Sequence, residues 1–324
     1  MLAYLKLKTN DEELYETDYL KELQQKQTKF SRLQYYICKY YFNFVAKLKY
    51  YMNIITVKQI YNAYLFILPF EEINNKQKFK KCINTVKKLM NRYNINALVS
   101  DEKIKKDQNF GKIIEPELKK VHILDGRGIM PYLIKETLEY ELQRRNLQTQ
   151  LEDLYICIKE PNEMYIDNIV YLIKYFRTVN IVTPNIKTFQ KLADKIEQKE
   201  NTILTVANNK KKSLKKARII INFDLLENEI NKYTIYREAV ILTIDENGFY
   251  ESDTFNGTQI RKIKIDTSDE IKKSFEKYNL LTNNDLTVLY ESTIDKRQKL
   301  VQIRNKIQHD KVKIVKLYGK NGSL

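Results

Sequence analysis

Between Leu151 and Asp245, short β-rich runs alternate with helical ones. The five apolar runs are LYICI (154–158), VNIVT (179–183), ILTV (203–206), RIIIN (218–222) and AVILTI (239–244). Helical patterns begin near Tyr165, Ile186, Lys211 and Leu225. Alternation of this kind predicts parallel strands joined by helical crossovers. Such a sheet collects ligands outside the carboxyl ends of its strands. For residues 211–217, a helix would turn Leu214 and Ala217 inward and leave Lys211, Lys212, Lys215 and Lys216 on two outer stripes.

The preceding region reads differently. MLAYLKLK opens as a strand, and the acidic run DEELYETDYLKEL suits the first turns of a helix, where carboxylates meet the positive end of the helix dipole. Helical character continues through SRLQYYICKYYFNFVAKLKYYM, whose apolar positions crowd almost every face. That predicts a helix packed on several sides. Eight tyrosines lie between Tyr15 and Tyr51. From Lys76 to Met90, Phe79, Cys82, Ile83, Val86, Leu89 and Met90 recur at three- and four-residue steps and make one apolar helix face. INALV (95–99) and VHILD (121–125) read as strands, with His122 packed. A helix from about Pro131 to Leu147 follows, with proline suited to its first turn. Asn-Gly pairs at 247–248 and 256–257 mark turns of an expected hairpin. The tail reads as helix over about 268–277 and 284–309, then as a strand, VKIVKLYG (312–319).

The expected organisation is an N-terminal α/β domain (1–130), a connecting helix (131–149), an alternating α/β domain (150–246), and a hairpin-plus-helix segment (247–324) that packs back on both. The longest purely apolar run, YLFILPF (64–70), is far short of the ~20 residues that a membrane span needs. Three widely spaced cysteines, Cys38, Cys82 and Cys157, indicate neither a disulfide framework nor a zinc site, and they suit a cytoplasmic protein. No metal-binding motif is present, and the two histidines, His122 and His309, are far apart.

The net charge is +16, unevenly spread. Residues 1–120 carry +10, residues 121–250 carry +1, and residues 251–324 carry +5. Basic flanks of this kind can attract nucleic acid or another polyanion. The candidate contacts are Arg127, in Asp125-Gly126-Arg127-Gly128, and the cluster Lys211, Lys212, Lys215 and Lys216. The abundance of Lys, Ile, Asn and Tyr also fits plain compositional bias.

VNIVTPNIKTFQKLADKI (179–196) and SLKKARIIINFD (213–224) carry a resemblance. The stretch 154–224 resembles the nucleotide-binding domain of the shikimate dehydrogenase and glutamyl-tRNA reductase type. In that family a Leu-Ala helix follows a short polar turn, and a later strand reads Ala-Asp-Ile-Val-Ile-Asn. Here that strand is Ala217-Arg218-Ile219-Ile220-Ile221-Asn222. The chain also resembles uncharacterised proteins of low-GC anaerobic bacteria, which implies no function. The resemblance implies a Rossmann-like parallel sheet of order 3-2-1-4-5, preceded by a smaller α/β domain and followed by a mostly helical segment.

The sequence departs from the family where the cofactor sits. The first turn, Lys159-Glu160-Pro161-Asn162-Glu163-Met164-Tyr165, has no glycine and places two carboxylates where pyrophosphate belongs. The family's Asn-Arg-Thr run is replaced by Thr183-Pro184-Asn185, with no arginine for a 2′-phosphate. No cofactor is therefore expected. NAD or NADP at an atypical site in an oxidoreductase-like enzyme is the alternative, and a nucleic-acid-associated protein is a second. The residues at the strand ends, where any ligand should sit, are Glu160, Asn162, Asn185, Lys187, Asn208, Asn222 and Asp224. Catalytic residues, substrate and partner are not legible, and the leading expectation is a binding, scaffolding or regulatory role.

Overall fold

The computed structural model describes residues 1–8, 29–60, 63–108, 110–200, 203–282, 284–320 and 322–324. The acidic run 11–23, with Tyr15 and Tyr19, lies outside them. The chain forms two compact units. One comprises Met1–Asp125 and Asn279–Asp285; the other comprises Gly126–Tyr278 and Leu286–Leu324.

In the first unit β1 (Leu2–Leu7), β2 (Thr56–Ile60), β3 (Ala63–Leu68), β4 (Ala97–Ser100) and β5 (His122–Ile123) form a sheet of order β2-β3-β1-β4-β5. β3, β1, β4 and β5 run parallel, and β2 is an antiparallel edge. β1 and β3 are central, so both of their faces are buried, as continuous apolar runs require. Helix α1 spans Lys29–Met52 and α2 spans Lys76–Arg92. Asn75 caps α2 by accepting the Lys78 N–H at 3.0 Å. Phe79, Cys82, Ile83, Val86 and Met90 turn inward as the spacing predicts. Two expectations are corrected here. α1 is not packed on several sides: Phe30, Leu33, Ile37, Tyr40, Phe44 and Tyr51 are exposed. Its apolar residues encircle it, and among the described residues burial follows the line of Ser31, Tyr35, Cys38, Phe42 and Val45. His122 is exposed rather than packed, because β5 is a two-residue edge strand.

In the second unit β6 (Asp153–Cys157), β7 (Thr178–Val182), β8 (Leu204–Ala207), β9 (Ile219–Asn222), β10 (Val240–Thr243) and β11 (Thr258–Ile260) form a six-stranded sheet. Every neighbouring pair is parallel. The order from the β8 edge is β8-β7-β6-β9-β10-β11. Numbered along the chain from β6, this is 3-2-1-4-5-6, the doubly wound Rossmann order. The five expected strands stand in the expected order, and β11 extends them. That parallel strand replaces the expected hairpin: Thr258–Ile260 pairs with Val240–Leu242.

Alternate residues of these strands enter different cores. Ile156, Ile181, Ile219 and Leu242 pack under α4 (Ile134–Arg144), α5 (Glu163–Leu172), α6 (Ile186–Glu200) and α10 (Leu300–His309). Here α3 denotes the short Glu102–Lys106 helix of the first unit. Cys157, Val182, Ile220 and Ile241 face Leu214, Ala217, Leu225 and Ile230 on the other side. Residues 210–216 are turns, and Ala217 follows them without regular structure, so the helix expected over 211–217 is not formed. Asn209 explains the difference. Its side chain accepts the N–H groups of Lys211 and Lys212 at 3.1 and 3.0 Å, while its own N–H donates to Ser213 Oγ at 2.9 Å. Such local bonds compete with a helical ladder. Leu214 and Ala217 are buried as expected.

Pro131 lies in a 3₁₀ turn, Arg127–Tyr132, ahead of α4 rather than in its first turn. The tail helix is divided into α9 (Leu286–Glu291) and α10, α7 (Glu227–Ile230) and α8 (Asp269–Glu276) preceding them. Asp295 breaks it by accepting the N–H and guanidinium of Arg297. β12 (Lys262–Asp266) pairs antiparallel with β13 (Lys313–Gly319), which pairs with β14 (Gly322–Ser323).

Candidate functional site

The order of the six-stranded sheet reverses between β6 and β9, the point beyond whose strand carboxyl ends sheets of this kind form their crevice. The turn after β6 and the turn after β9 are joined there by one side chain. Asp224 Oδ1 accepts the Lys159 N–H at 2.6 Å, and Asp224 Oδ2 accepts the Glu160 N–H at 3.0 Å. In a dinucleotide-binding sheet, the backbone donors of this first turn meet the pyrophosphate. Here a carboxylate of the chain itself holds them. Lys159 Nζ is drawn to Glu229 Oε1 at 2.7 Å, which raises the ammonium pKa and lowers that of Glu229. Burial pushes the Asp224 carboxyl above its ordinary range, against its two amide bonds, and Glu160 and Glu229 add to the rise. The Tyr165 ring stacks on Phe223 with centroids 4.4 Å apart. Burial raises the Tyr165 hydroxyl pKa, with Asp224 and Asp245 contributing. The crevice is thus acidic and already hydrogen-bonded.

The other strand-end candidates are engaged locally. Asn162 caps α5 by accepting the Met164 N–H at 2.9 Å. Asn185 accepts the Thr188 hydroxyl at 2.8 Å, and Asn208 accepts that of Tyr233 at 2.5 Å. Asn222 is fully buried; it donates to Leu225 O at 2.8 Å and Gly248 O at 2.9 Å, and accepts the Leu225 N–H at 3.1 Å. Lys187 differs. With Pro161, Thr188, Lys191, Leu192 and Lys195 it lines an open groove of about 420 Å³. Lys191 and Lys195 escaped the sequence reading, although the four-residue spacing of Lys187, Lys191 and Lys195 places them on one side of a helix.

The polyanion candidates separate. Lys211, Lys212, Lys215 and Lys216 are exposed on the 210–216 turns rather than on helical stripes. Arg127 Nη1 pairs with Glu246 Oε2 at 2.8 Å. The adjoining Gly-x-Gly wraps an internal anion. Gly126, at φ +91°, donates its N–H to Glu291 Oε2 at 2.8 Å. The Glu291 carboxylate is buried, with Lys296 Nζ 3.5 Å away. A Cβ on Gly128 would collide with Glu291 and approach Lys296 Nζ to 2.9 Å. Gly128→Ala is therefore expected to cost about 2–3 kcal/mol of stability, read by urea denaturation. A loss below about 0.5 kcal/mol, within the range of ordinary surface substitutions, would refute this close packing.

The sequence reading also passed over Lys6 and Asp101, both buried in the first unit. Asp101 follows β4 and caps α3, accepting the Lys103 N–H at 2.8 Å. Burial raises its carboxyl pKa, while hydrogen bonds and the Lys103 and Lys6 charges oppose the rise. The signal was a lysine inside an apolar strand. Among the described residues no group of three or more His, Cys, Asp or Glu is placed to hold a metal ion. Nor is any helix among them long and apolar enough to cross a membrane.

No protein-family model and no curated protein sequence matches this chain. Solved structures similar to it include L-tryptophan dehydrogenase from Nostoc punctiforme, at 11% identity over 95% of this chain and 80% of that one, TM-score 0.33. Shikimate 5-dehydrogenase from Listeria monocytogenes, in complex with shikimate and NAD, is 9% identical over 90% and 94%, TM-score 0.32. The 5-ketofructose reductase of Gluconobacter sp. is 10% identical over 95% and 98%, TM-score 0.33. Likeness at this level says nothing about ligand or reaction. The Rossmann-like character rests on strand order and direction.

Proposed function

We propose that the second unit is a Rossmann-like domain that no longer binds a dinucleotide in the ordinary way and serves a binding or regulatory role. The observation that carries this reading is the Asp224 carboxylate on the Lys159 and Glu160 amides. A pyrophosphate arriving there meets no free donor from these two residues. It also meets Glu160 and Asp224, whose charges repel it. The Lys159 ammonium beside this turn is paired with Glu229. The three cysteines form no disulfide, which suits a cytoplasmic setting.

A thermal-shift screen over nucleotides, dinucleotides and short nucleic acids tests this. A ligand that binds only the native state at 100 times its Kd stabilises it by about 2.7 kcal/mol, an effect of several degrees. NAD, NADH, NADP and NADPH are expected to leave the midpoint unchanged. A dose-dependent rise with any of them overturns the proposal.

A further inference from the structure

We propose that α1 is an interfacial helix that lays its exposed side on the surface of an anionic bilayer. The helix has 24 residues, which is about 36 Å at ~1.5 Å per residue. Along it Phe30, Leu33, Ile37, Tyr40, Phe44 and Tyr51 recur at three- and four-residue steps, save one longer gap. With Tyr36, Tyr41, Leu48 and Met52 they fill an arc roughly 160° wide at ~100° per residue. These are large side chains left in water: Phe30 is 69% exposed, Tyr40 77% and Tyr51 73%. On the opposite line Ser31 is buried and Tyr35, Cys38, Phe42 and Val45 are half-buried, so the helix already uses one side against its own unit. The free arc is far more continuous than scattered surface hydrophobics.

Charge selects the occupant. Over Lys29–Met52 there are five basic residues and no acidic one. Two copies of α1 face to face would bring like charges together with no carboxylate on either helix to pair them. An anionic bilayer supplies both halves of the match, an apolar layer for the arc and phosphates for the cations. Tyrosine, abundant on the arc, suits the boundary between headgroups and acyl chains.

A second feature points the same way. Beside the arc, Lys8, Lys39, Lys47 and Lys78 line an open groove of about 850 Å³, with Tyr50 among its walls. Lys78 Nζ lies 3.8 Å from the Tyr50 ring centroid. Glu71 and Glu72 also line the groove, so cations outnumber carboxylates there without excluding them. A lipid phosphate in this groove has its acyl chains beside the apolar arc.

The test is flotation of the full-length protein with vesicles. One set is phosphatidylcholine alone, the other phosphatidylcholine with about one third phosphatidylglycerol. Binding is expected to the anionic vesicles, with little to the neutral ones, and to weaken at about 0.5 M salt as screening shortens the reach of the charges. The triple variant Phe30→Ser, Ile37→Ser, Phe44→Ser should lose at least about tenfold in vesicle affinity. Its melting temperature should not fall, because these positions are already in water. Lys39→Glu with Lys47→Glu should lose anionic selectivity. Millimolar glycerol phosphate should leave bound protein on the vesicles. Absence of retention at low salt overturns the proposal, as does unchanged binding by the serine variant. Release by glycerol phosphate would instead mark a small-anion groove. If light scattering shows self-association that the serine variant abolishes, without vesicle binding, the arc is covered by a second copy and the bilayer assignment fails.

Discussion

Asn222→Ala is expected to lower the unfolding free energy by about 2–4 kcal/mol, a range set by the cost of stranding buried backbone groups. Asn222 closes β9, is fully buried, and holds three partners at once. It accepts the Leu225 N–H and donates to the carbonyls of Leu225 and Gly248, so it ties the turn after β9 to the turn after β10. Alanine supplies none of these bonds and leaves the Leu225 N–H and the Leu225 and Gly248 carbonyls without this partner. The fit is close, because a Cβ on Gly248 would lie 2.6 Å from Leu225 O. Urea denaturation should show a lower midpoint with an unchanged slope. A loss under about 1 kcal/mol would mean that the turns are held by other contacts. The residue that best matches the family strand is thus a structural fastener at the crevice wall.

Asp310→Ala is expected to cost a similar amount, about 2–4 kcal/mol, since it removes the charged half of a buried hydrogen-bond cluster. Asp310 Oδ2 accepts the Tyr290 hydroxyl at 2.7 Å and is paired with Lys306. Tyr290 is fully buried, and burial with the Asp310 bond pushes its hydroxyl pKa well up, so it must keep an acceptor. Burial alone would raise the Asp310 carboxyl, but the bonds from Lys306, Tyr290 and His309 outweigh it and hold it below the usual carboxylate range. A depressed folded pKa gives stability that is complete above the unfolded value, about 3.9, and is lost as pH falls through the folded one. The gap between wild type and Asp310→Ala should therefore be full at pH 7 and narrow below about pH 4. Denaturation curves at both pH values read this directly. A gap that widens on acidification would contradict the assigned sign.

The legibility of the fold divides along physical lines. β6 to β10 were readable because strands buried on both faces are continuous apolar runs, and the helical patterns between them force crossovers. β11 was not, because Thr258-Gln259-Ile260 is short, mostly polar and at an edge. Lys211–Ala217 misled because its inward spacing, Leu214 and Ala217, is kept by a set of turns that Asn209 and Ser213 tie. α1 misled because apolar spacing shows which residues avoid water, and not whether the chain supplies a surface to meet them.

The strand-order reversal between β6 and β9 stands where the sequence placed it, and the turns that carry Glu160 and Asp224 meet there. Their relation was not legible. The bonds from Asp224 to Lys159 and Glu160 span 65 and 64 positions, beyond any local signal. The Gly-x-Gly turn was ambiguous for the same reason, since Glu291 lies 165 residues from the amide it accepts.

Isothermal titration of the full-length protein with NAD and NADP, in both redox states, tests the central claim most directly. With Asp224 on the first-turn amides and carboxylates around them, no saturable heat is expected up to about 1 mM, the level at which only about 4 kcal/mol of binding free energy is required. Micromolar binding of any of the four, lost on Lys187→Glu or Asn185→Ala, would contradict the account and restore the crevice as a working dinucleotide site.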